Sequence, residues 1–345
     1  MKKLVPQVIV LLIVFACSQA ECKDPPFSLK GDKICGLSFV APPRPFTTDP
    51  MTPVKKVNAE WITVIPFAFT RPGEPKVYYN TTGYQWWGEK PEGIIETVKR
   101  AKEAGLKVML KPQVYIPRGW VGDLDFPTDS EWQQWEAGYR DYIFELLEVA
   151  VEFEIEMICI GTEFRKHTRK REQFWRDLIK ECRKYYSGLI TYSANWDDYN
   201  NIPFWDELDY IGISAYFPLT ESKHPTRIEL LKAWQPVRKG LKKFAGKERK
   251  PVLFTEFGYL SVDGCAGKTW ELEKKVRQLP VNEKAQAIAL GALFEVFWEE
   301  PWWQGGFLWK WFPEMKGHEG YPERDYTPQG KIAQSTLTYW FGQEK

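Results

Sequence analysis

The sequence predicts an α/β fold, a single-domain (β/α)8 TIM barrel. Eight short apolar runs follow one another along the chain, and each is typical of a buried strand in a parallel sheet. Helical patterns lie between most of these runs. Eight strands that alternate with helices favour a closed parallel barrel over an open sheet.

The predicted elements follow one rhythm along the chain. Strands are expected at 34–40, 58–67, 106–116, 155–164, 188–196, 208–217, 251–259 and 304–312. Helices are expected at 91–104, 129–153, 170–186, 226–246, 282–300 and 328–341. The acidic run SEWQQWE after Asp129 is typical of a helix start, and Gly105 and Gly188 stand where helices end before strands three and five.

One catalytic domain is expected over residues 30–342. The chain shows no linker rich in Pro, Gly and Ser and no repeat beyond the strand and helix alternation. The longest insertions follow strands two, three and seven, at 68–90, 117–128 and 260–281. In a barrel these loops lie on the face that carries the active site, where they can build a groove. We expect a monomer.

Residues 1–20 are predicted to be a signal peptide. Lys2 and Lys3 precede an all-apolar run at 8–16, and Ser18 to Ala20 offer a small-residue cleavage site. In the alternative, a lipoprotein signal spans 1–16 and a lipidated Cys17 tethers the protein to a membrane. Either cleavage predicts an exported protein that is periplasmic, a cell-surface lipoprotein or secreted.

Charge and motifs exclude several classes of function. The formal charge is +1, and removing Lys2 and Lys3 leaves about −1, so no positive excess indicates a nucleic-acid partner. With 3 histidines and no metal-ligand spacing we expect neither a metal nor a cofactor. The sequence lacks G-x-S-x-G, G-x-G-x-x-G and P-loop motifs. The disulfide state stays open for the cysteines left after Cys17, which are Cys22, Cys35, Cys159, Cys182 and Cys265.

Two glutamates are the strongest candidates for chemistry. Glu163 closes the fourth apolar run and Glu256 lies near the end of the seventh. The carboxyl ends of barrel strands hold the active site, and two carboxylates on one rim are what glycoside hydrolysis needs. Aromatic residues form 16% of the chain, with 17 tryptophans, and such rings flanked by polar groups suit carbohydrate.

The segments ICIGTEF around Glu163, WDELDYIGISAYFPL from Trp205 to Leu219 and PVLFTEFGY around Glu256 resemble the clan A glycoside hydrolases. Within that clan the chain is most similar to glycoside hydrolase family 113, the β-mannanase family. The resemblance extends over the whole mature chain. It departs from most of the clan at Thr162, where an Asn usually precedes the acid/base.

The resemblance implies hydrolysis of β-1,4-mannan or manno-oligosaccharides with retention of configuration. Glu256 would be the nucleophile and Glu163 the acid/base, with carboxyl groups about 5–5.5 Å apart rather than the roughly 6.5–9.5 Å of an inverting pair. It also implies that Tyr216 bonds the nucleophile and that Trp309 is the sugar platform. Two alternatives stay open, namely a hydrolase or transglycosylase of another β-hexoside such as β-glucan, and a non-catalytic exported carbohydrate-binding barrel.

Other rim residues are weaker candidates for sugar contact. Strand-end or loop positions mark Asn195, Trp196, Lys111, Gln113, Trp86, Trp87 and Trp120. A lysine pointing into a barrel mouth needs an anionic or hydroxyl-rich partner. The basic run at 165–171 is interpreted as a solvated helix start.

Overall fold

A closed parallel barrel forms the centre of the molecule. The structure is a computed structural model that describes residues 32–80, 83, 85–314 and 322–344, so the predicted signal peptide and Cys17 lie outside the described residues. Its strands are β1 (Ile34–Phe39), β2 (Trp61–Val64), β3 (Phe67–Phe69), β4 (Lys107–Leu110), β5 (Gln113–Tyr115), β6 (Met157–Thr162), β7 (Leu189–Asn195), β8 (Ile211–Ser214), β9 (Val252–Phe257) and β10 (Trp303–Trp311). All but β3 and β5 close the barrel, in the order β1-β10-β9-β8-β7-β6-β4-β2.

Helices follow most of the barrel strands, as predicted, whereas β7 is followed only by two short 3-10 turns, Tyr199–Asn201 and Trp205–Glu207. They are α1 (Thr52–Lys56), α2 (Pro91–Glu103), α3 (Asp129–Glu152), α4 (Arg165–Lys170), α5 (Glu172–Tyr185), α6 (Arg227–Glu248), α7 (Thr269–Glu273), α8 (Glu283–Phe297) and α9 (Ile332–Phe341). Capping boxes fix the starts of the two longest: Thr128 pairs with Glu131 before α3, and Thr226 pairs with Glu229 before α6. The predicted (β/α)8 barrel is confirmed.

The second and third predicted strands are each broken in two. Pro66 separates β2 from β3, and Pro112 separates β4 from β5. A proline has no N–H to donate to the next strand, so it interrupts a ladder. The outer pieces β3 and β5 pair with each other as a separate two-stranded sheet above the barrel mouth. This β3–β5 ribbon was not expected from the apolar pattern.

The lower barrel interior is filled with side chains. Buried residues from different strands pack into one cluster there, namely Ile34, Trp61, Met109, Met157, Cys159, Tyr210, Leu253 and Phe307. A filled interior leaves the rim at the carboxyl ends of the strands as the place for chemistry. Cys159, Cys182 and Cys265 are buried free thiols, and Cys35 is also buried. Within the described ranges, no helix is long and apolar enough to span a membrane.

Candidate active site

Glu163 lies one residue beyond β6, on the rim. Its backbone N–H donates to the Ser193 carbonyl of the neighbouring strand at 2.8 Å, and its φ is +59°. The next N–H, of Phe164, donates to the Tyr192 hydroxyl at 2.7 Å. A left-handed conformation is uncommon for a residue with a side chain and often occurs at functional sites. Thr162, directly before it, is buried.

Glu256 lies in β9 and is surrounded by three hydrogen-bond donors. Lys111 Nζ and Gln113 Nε2 both donate to Oε1, the latter at 2.7 Å. Tyr216 donates from its hydroxyl to Oε2 at 2.9 Å. Glu256 is only 6% exposed, so these three donors, rather than water, fix the position of its carboxylate. The structure therefore brings Lys111, Gln113 and Tyr216 together on one carboxylate, with the Tyr216 contact as the resemblance implied.

Lys111 is the least exposed charged residue at the site. Its relative exposure is 0%, and its ammonium forms a buried ion pair with Glu256. A lysine without solvent needs an opposite charge because the cost of burying an unpaired ammonium is several kcal/mol or more. The sequence predicted an anionic or hydroxyl-rich partner for this lysine, and the partner in the structure is the anionic Glu256.

Glu163 has a different environment. Trp120 Nε1 donates to its Oε2 at 2.8 Å. Burial raises the pKa of the Glu163 carboxyl above its ordinary value, and the nearby charge of Glu256 raises that pKa further. The Trp120 hydrogen bond and the charge of Lys111 oppose this rise in pKa. Two carboxyl groups with unlike surroundings are suited to unlike roles in acid–base chemistry.

Arg165 supports the indole that contacts Glu163. Its guanidinium lies over the Trp120 ring, 4.8 Å from the centroid, and it also forms an ion pair with Asp197. Asn195 Nδ2 donates to the same Asp197 oxygen at 2.9 Å. Asn195 therefore lies on the rim as predicted, but its amide is bonded to a neighbouring carboxylate.

The segment 165–171 begins a helix as interpreted, and Lys166, Arg169 and Lys170 are partly exposed, but the segment is not solvated throughout. His167 is fully buried, with Nδ1 accepting from Trp175 Nε1 at 2.8 Å. Arg171 donates from Nε to Glu136 at 2.6 Å. These side chains anchor α4 directly behind Glu163. The sequence pattern did not reveal these contacts because the carboxylate partners lie on other elements. The only local indication is that Arg165 follows Glu163 by two residues.

Trp309 and Trp86 line a cavity on the opposite side of the rim. The cavity has a volume of about 180 Å³ and is also lined by Glu89 and Lys310. Trp309 is half-buried and packs against the cluster of Leu260, Val262 and Tyr326, whereas Trp311 is 2% exposed and packs in the main core. The two rings therefore do not share one side of β10, and Trp309 is the accessible one. The predicted tryptophan Trp87 instead packs edge-on against Phe46, at 5.5 Å between ring centroids.

Aromatic residues beyond the predicted set complete the rim. Trp196 stacks on Trp270 of α7, with centroids 5.8 Å apart and planes at 14°. Tyr216 packs against Tyr326 at 6.1 Å, and Tyr326 donates to Glu273 at 2.7 Å. Trp270, Tyr326 and Glu273 had no signal in the sequence because they lie outside the strand ends. Over the described part of the chain, no group of three or more His, Cys, Asp and Glu could hold a metal.

The barrel carries two differently partnered glutamates at the ends of its fourth and seventh strands, and a pair of carboxyl groups on this rim is the arrangement that glycoside hydrolysis needs. The chain belongs to Glycoside Hydrolase Family 113, whose family model matches residues 44–331. It is therefore a glycoside hydrolase, and the resemblance stated from the sequence is confirmed.

Solved structures agree with this assignment. The chain is similar to the family 113 β-mannanase AaManA from Alicyclobacillus acidocaldarius in complex with ManMIm, with 28% identity over 90% of this chain and 98% of that one and a TM-score of 0.78. It is also similar to a structure described as a GH113 β-1,4-mannanase, with 27% identity over 90% of this chain and 99% of that one and a TM-score of 0.75. A β-glucuronidase from Ruminococcus gnavus shares the fold, at 16% identity over 91% of this chain and 50% of its own, with a TM-score of 0.60. The comparison with curated proteins gives no match.

Proposed function

We propose that this glycoside hydrolase cleaves β-1,4-mannosidic bonds in mannan or manno-oligosaccharides with retention of configuration. The observation that carries the proposal is the unlike pairing of the two glutamates, with Glu256 bound by Lys111, Gln113 and Tyr216, and Glu163 bound by Trp120. The similarity to β-mannanases of the same family supports mannan as the substrate.

In the first step a Glu256 oxygen attacks the anomeric carbon of the sugar. A new carbon–oxygen bond forms to Glu256 while the bond to the glycosidic oxygen breaks. Glu163 donates its proton to that departing oxygen, so the leaving sugar departs as an alcohol. The raised pKa of Glu163 supports this role because an acid must hold its proton until the transition state.

In the second step water releases the sugar from Glu256. Glu163, now ionised, takes a proton from water as the water oxygen bonds to the anomeric carbon, and the bond to Glu256 breaks. Two inversions at one carbon restore the original configuration. Each cycle consumes one water and returns both glutamates to their starting states.

The remaining rim residues would position the sugar and the nucleophile. Tyr216 and Gln113 hold the two Glu256 oxygens in a fixed orientation, and Lys111 compensates the charge of Glu256. Accessible Trp309 would lie under the sugar at the cleavage point, as the resemblance implies, with the adjoining cavity as part of the binding groove.

Retention is tested by the configuration of the first product. Proton NMR of manno-oligosaccharide hydrolysis should show the β-anomer before mutarotation, and an initial α-anomer would contradict double displacement. A crystal structure with a bound inhibitor should give carboxyl groups about 5–5.5 Å apart.

The substrate is tested by a panel of mannan, glucomannan, cellulose, xylan and mixed-linkage glucan. We expect the largest release of reducing ends from mannan. Preference for a glucan would assign the enzyme to another β-hexoside, and longer products would reveal transglycosylation. Binding without any release would identify a carbohydrate-binding barrel.

The two catalytic roles are tested separately. Glu256→Gln should abolish turnover of every substrate while binding survives. Glu163→Gln should abolish turnover of mannan but retain the first step on an aryl mannoside, whose leaving group needs no proton. Equal losses of the first step on the aryl substrate in both variants would remove the distinction between nucleophile and acid.

We also propose that the protein is exported, from the charged and apolar pattern of residues 1–20. Detergent phase partition and mass spectrometry of the cell-associated protein test the two cleavage sites. A diacylglycerol adduct on Cys17 that is lost in Cys17→Ala would identify the lipoprotein form. A chain retained with residues 1–20 intact in the cytoplasm would contradict export.

A further inference from the structure

The β3–β5 ribbon above the barrel mouth has two unlike faces. Its strands pair in parallel with Phe67 opposite Gln113 and Phe69 opposite Tyr115. Successive side chains in a strand point to opposite faces. Ala68 and Val114 are accordingly buried in the core on one face, and the open face carries Phe67, Phe69, Gln113 and Tyr115, which are all at least partly exposed.

Gln113 joins the open face to the reacting centre. Its amide donates to Glu256 Oε1 at 2.7 Å. Tyr115 lies two residues further along the same strand, on the same face, so its Cα is about 6.6–6.8 Å beyond that of Gln113. On the partner strand, Phe67 lines the cavity beside Trp309. The open face therefore starts at the candidate nucleophile and runs outward along the rim.

Tyr115 is an exposed ring on a fixed backbone. It is 51% exposed, and its ring meets Phe69 edge-on, with centroids 6.0 Å apart and planes at 74°. The Tyr115 carbonyl accepts from Thr70 N–H at 3.1 Å, and Phe69 exchanges two backbone hydrogen bonds of 2.8 Å with Tyr78. Such an arrangement presents an apolar ring face without the entropy cost of ordering a loop.

We propose that the open face of the ribbon is an outer sugar-binding subsite with Tyr115 as its platform and Phe69 as its support. The occupant is a further hexose unit of the chain being cleaved, because the open face is continuous with the Glu256 site through Gln113. The apolar C–H face of the sugar would cover the ring, and the Tyr115 hydroxyl could bond a sugar hydroxyl. This inference rests on the proposed function.

The test compares substrates of different length. For wild type and Tyr115→Ala, kcat/KM is measured on mannotriose and on mannohexaose. The ratio of kcat/KM on mannohexaose to kcat/KM on mannotriose should fall roughly tenfold in Tyr115→Ala, corresponding to about 1.4 kcal/mol. Tyr115→Trp should keep the ratio because the platform remains. Tyr185→Ala is the matched control, since Tyr185 is 67% exposed on α5, and it should leave the ratio unchanged.

Binding separates the subsite from the chemistry. Calorimetry of mannohexaose with Glu163→Gln and with Glu163→Gln/Tyr115→Ala should show weaker binding by the double variant. Equal affinities, or an unchanged ratio in correctly folded Tyr115→Ala, would overturn the subsite. A self-association seen by sedimentation and lost in Tyr115→Ala without a change in ratio would assign this face to a second copy. Failure of the proposed function appears instead as a wild type that releases nothing from mannan.

Discussion

Lys111 donates a hydrogen bond to Glu256 from a position with no solvent exposure. The two residues come from opposite sides of the barrel, since Lys111 follows β4 and Glu256 lies in β9. An ion pair across a barrel mouth both compensates charge and fixes the distance between two walls. In such a buried pair each partner is needed because removing one leaves the other unpaired.

Lys111→Met should therefore lower both stability and activity. The unpaired Glu256 carboxylate should cost about 3–5 kcal/mol of unfolding free energy. Loss of the positive charge beside the candidate nucleophile should lower kcat/KM on the order of 100-fold. Urea unfolding and initial rates on mannan measure the two effects.

Lys107→Met is the matched control for this prediction. Lys107 begins β4 at the other end of the same strand and is exposed. The same substitution there should leave kcat/KM unchanged and alter stability by less than about 0.5 kcal/mol. A stable, fully active Lys111→Met would contradict the role of the pair.

The sequence predicts the glutamates better than it predicts their neighbours. Strand counting places Glu163 and Glu256 on the rim because strand order and the end of each apolar run are local properties. Lys111 was marked because an inward lysine needs a partner, although the partner itself required the fold. The contact between Trp120 and Glu163 depends on the path of the loop at 117–128, which no periodicity describes.

The ribbon illustrates the same limit. Pro66 and Pro112 are visible in the sequence as strand breakers. The pairing of β3 with β5 beyond them depends on how the two segments continue above the barrel, which the sequence pattern does not describe. The buried pairing within 165–171 was missed for a similar reason, because whether an arginine such as Arg171 is solvated or paired depends on carboxylates that lie far away in sequence. Local pattern predicts elements, whereas contacts between loops follow from their packing.

Trp120→Phe should move the alkaline limb of the pH–rate profile to higher pH. The indole N–H bonds the Glu163 carboxylate and lowers its pKa, so its loss raises the pKa of Glu163. The acid must be protonated for the first step, and activity is lost as the pH rises through that pKa. We expect kcat/KM at its optimum to fall about tenfold, the size of one hydrogen bond to a charged group.

The measurement is kcat/KM on mannan across the full pH range. Trp340→Phe serves as control because Trp340 lies on α9, stacked on Phe294. Its alkaline limb should match that of wild type. An alkaline limb at lower pH in Trp120→Phe would contradict the assigned effect of the indole.

Arg165→Ala should act on Glu163 through Trp120. Arg165 lies over the indole ring, and without it the Trp120 side chain loses its support and its hydrogen bond to Glu163 weakens. The alkaline limb should move in the same direction as in Trp120→Phe, and the two changes should not add in the double variant. The control is Arg169→Ala, which removes an ion pair between Arg169, also on α4, and Asp198. It should leave the alkaline limb of the pH–rate profile unchanged. Additive shifts would show that Arg165 acts independently of Trp120.

Glu163→Gln should stabilise the fold at neutral pH. The pKa of Glu163 is raised in the folded state, so the fold disfavours its charged form relative to the unfolded chain. The cost is fully present above the folded pKa and disappears below the unfolded one. Replacing the acid by a neutral amide should raise Tm by roughly 2–4 °C at pH 8, equivalent to about 1 kcal/mol. The difference in Tm between Glu163→Gln and wild type should shrink as the pH falls towards 4.

Glu103→Gln, at an exposed position in α2, is the control and should show no difference in Tm from wild type at either pH. A lower Tm for Glu163→Gln at pH 8 would mean that the carboxylate is stabilised in the fold, contrary to its raised pKa.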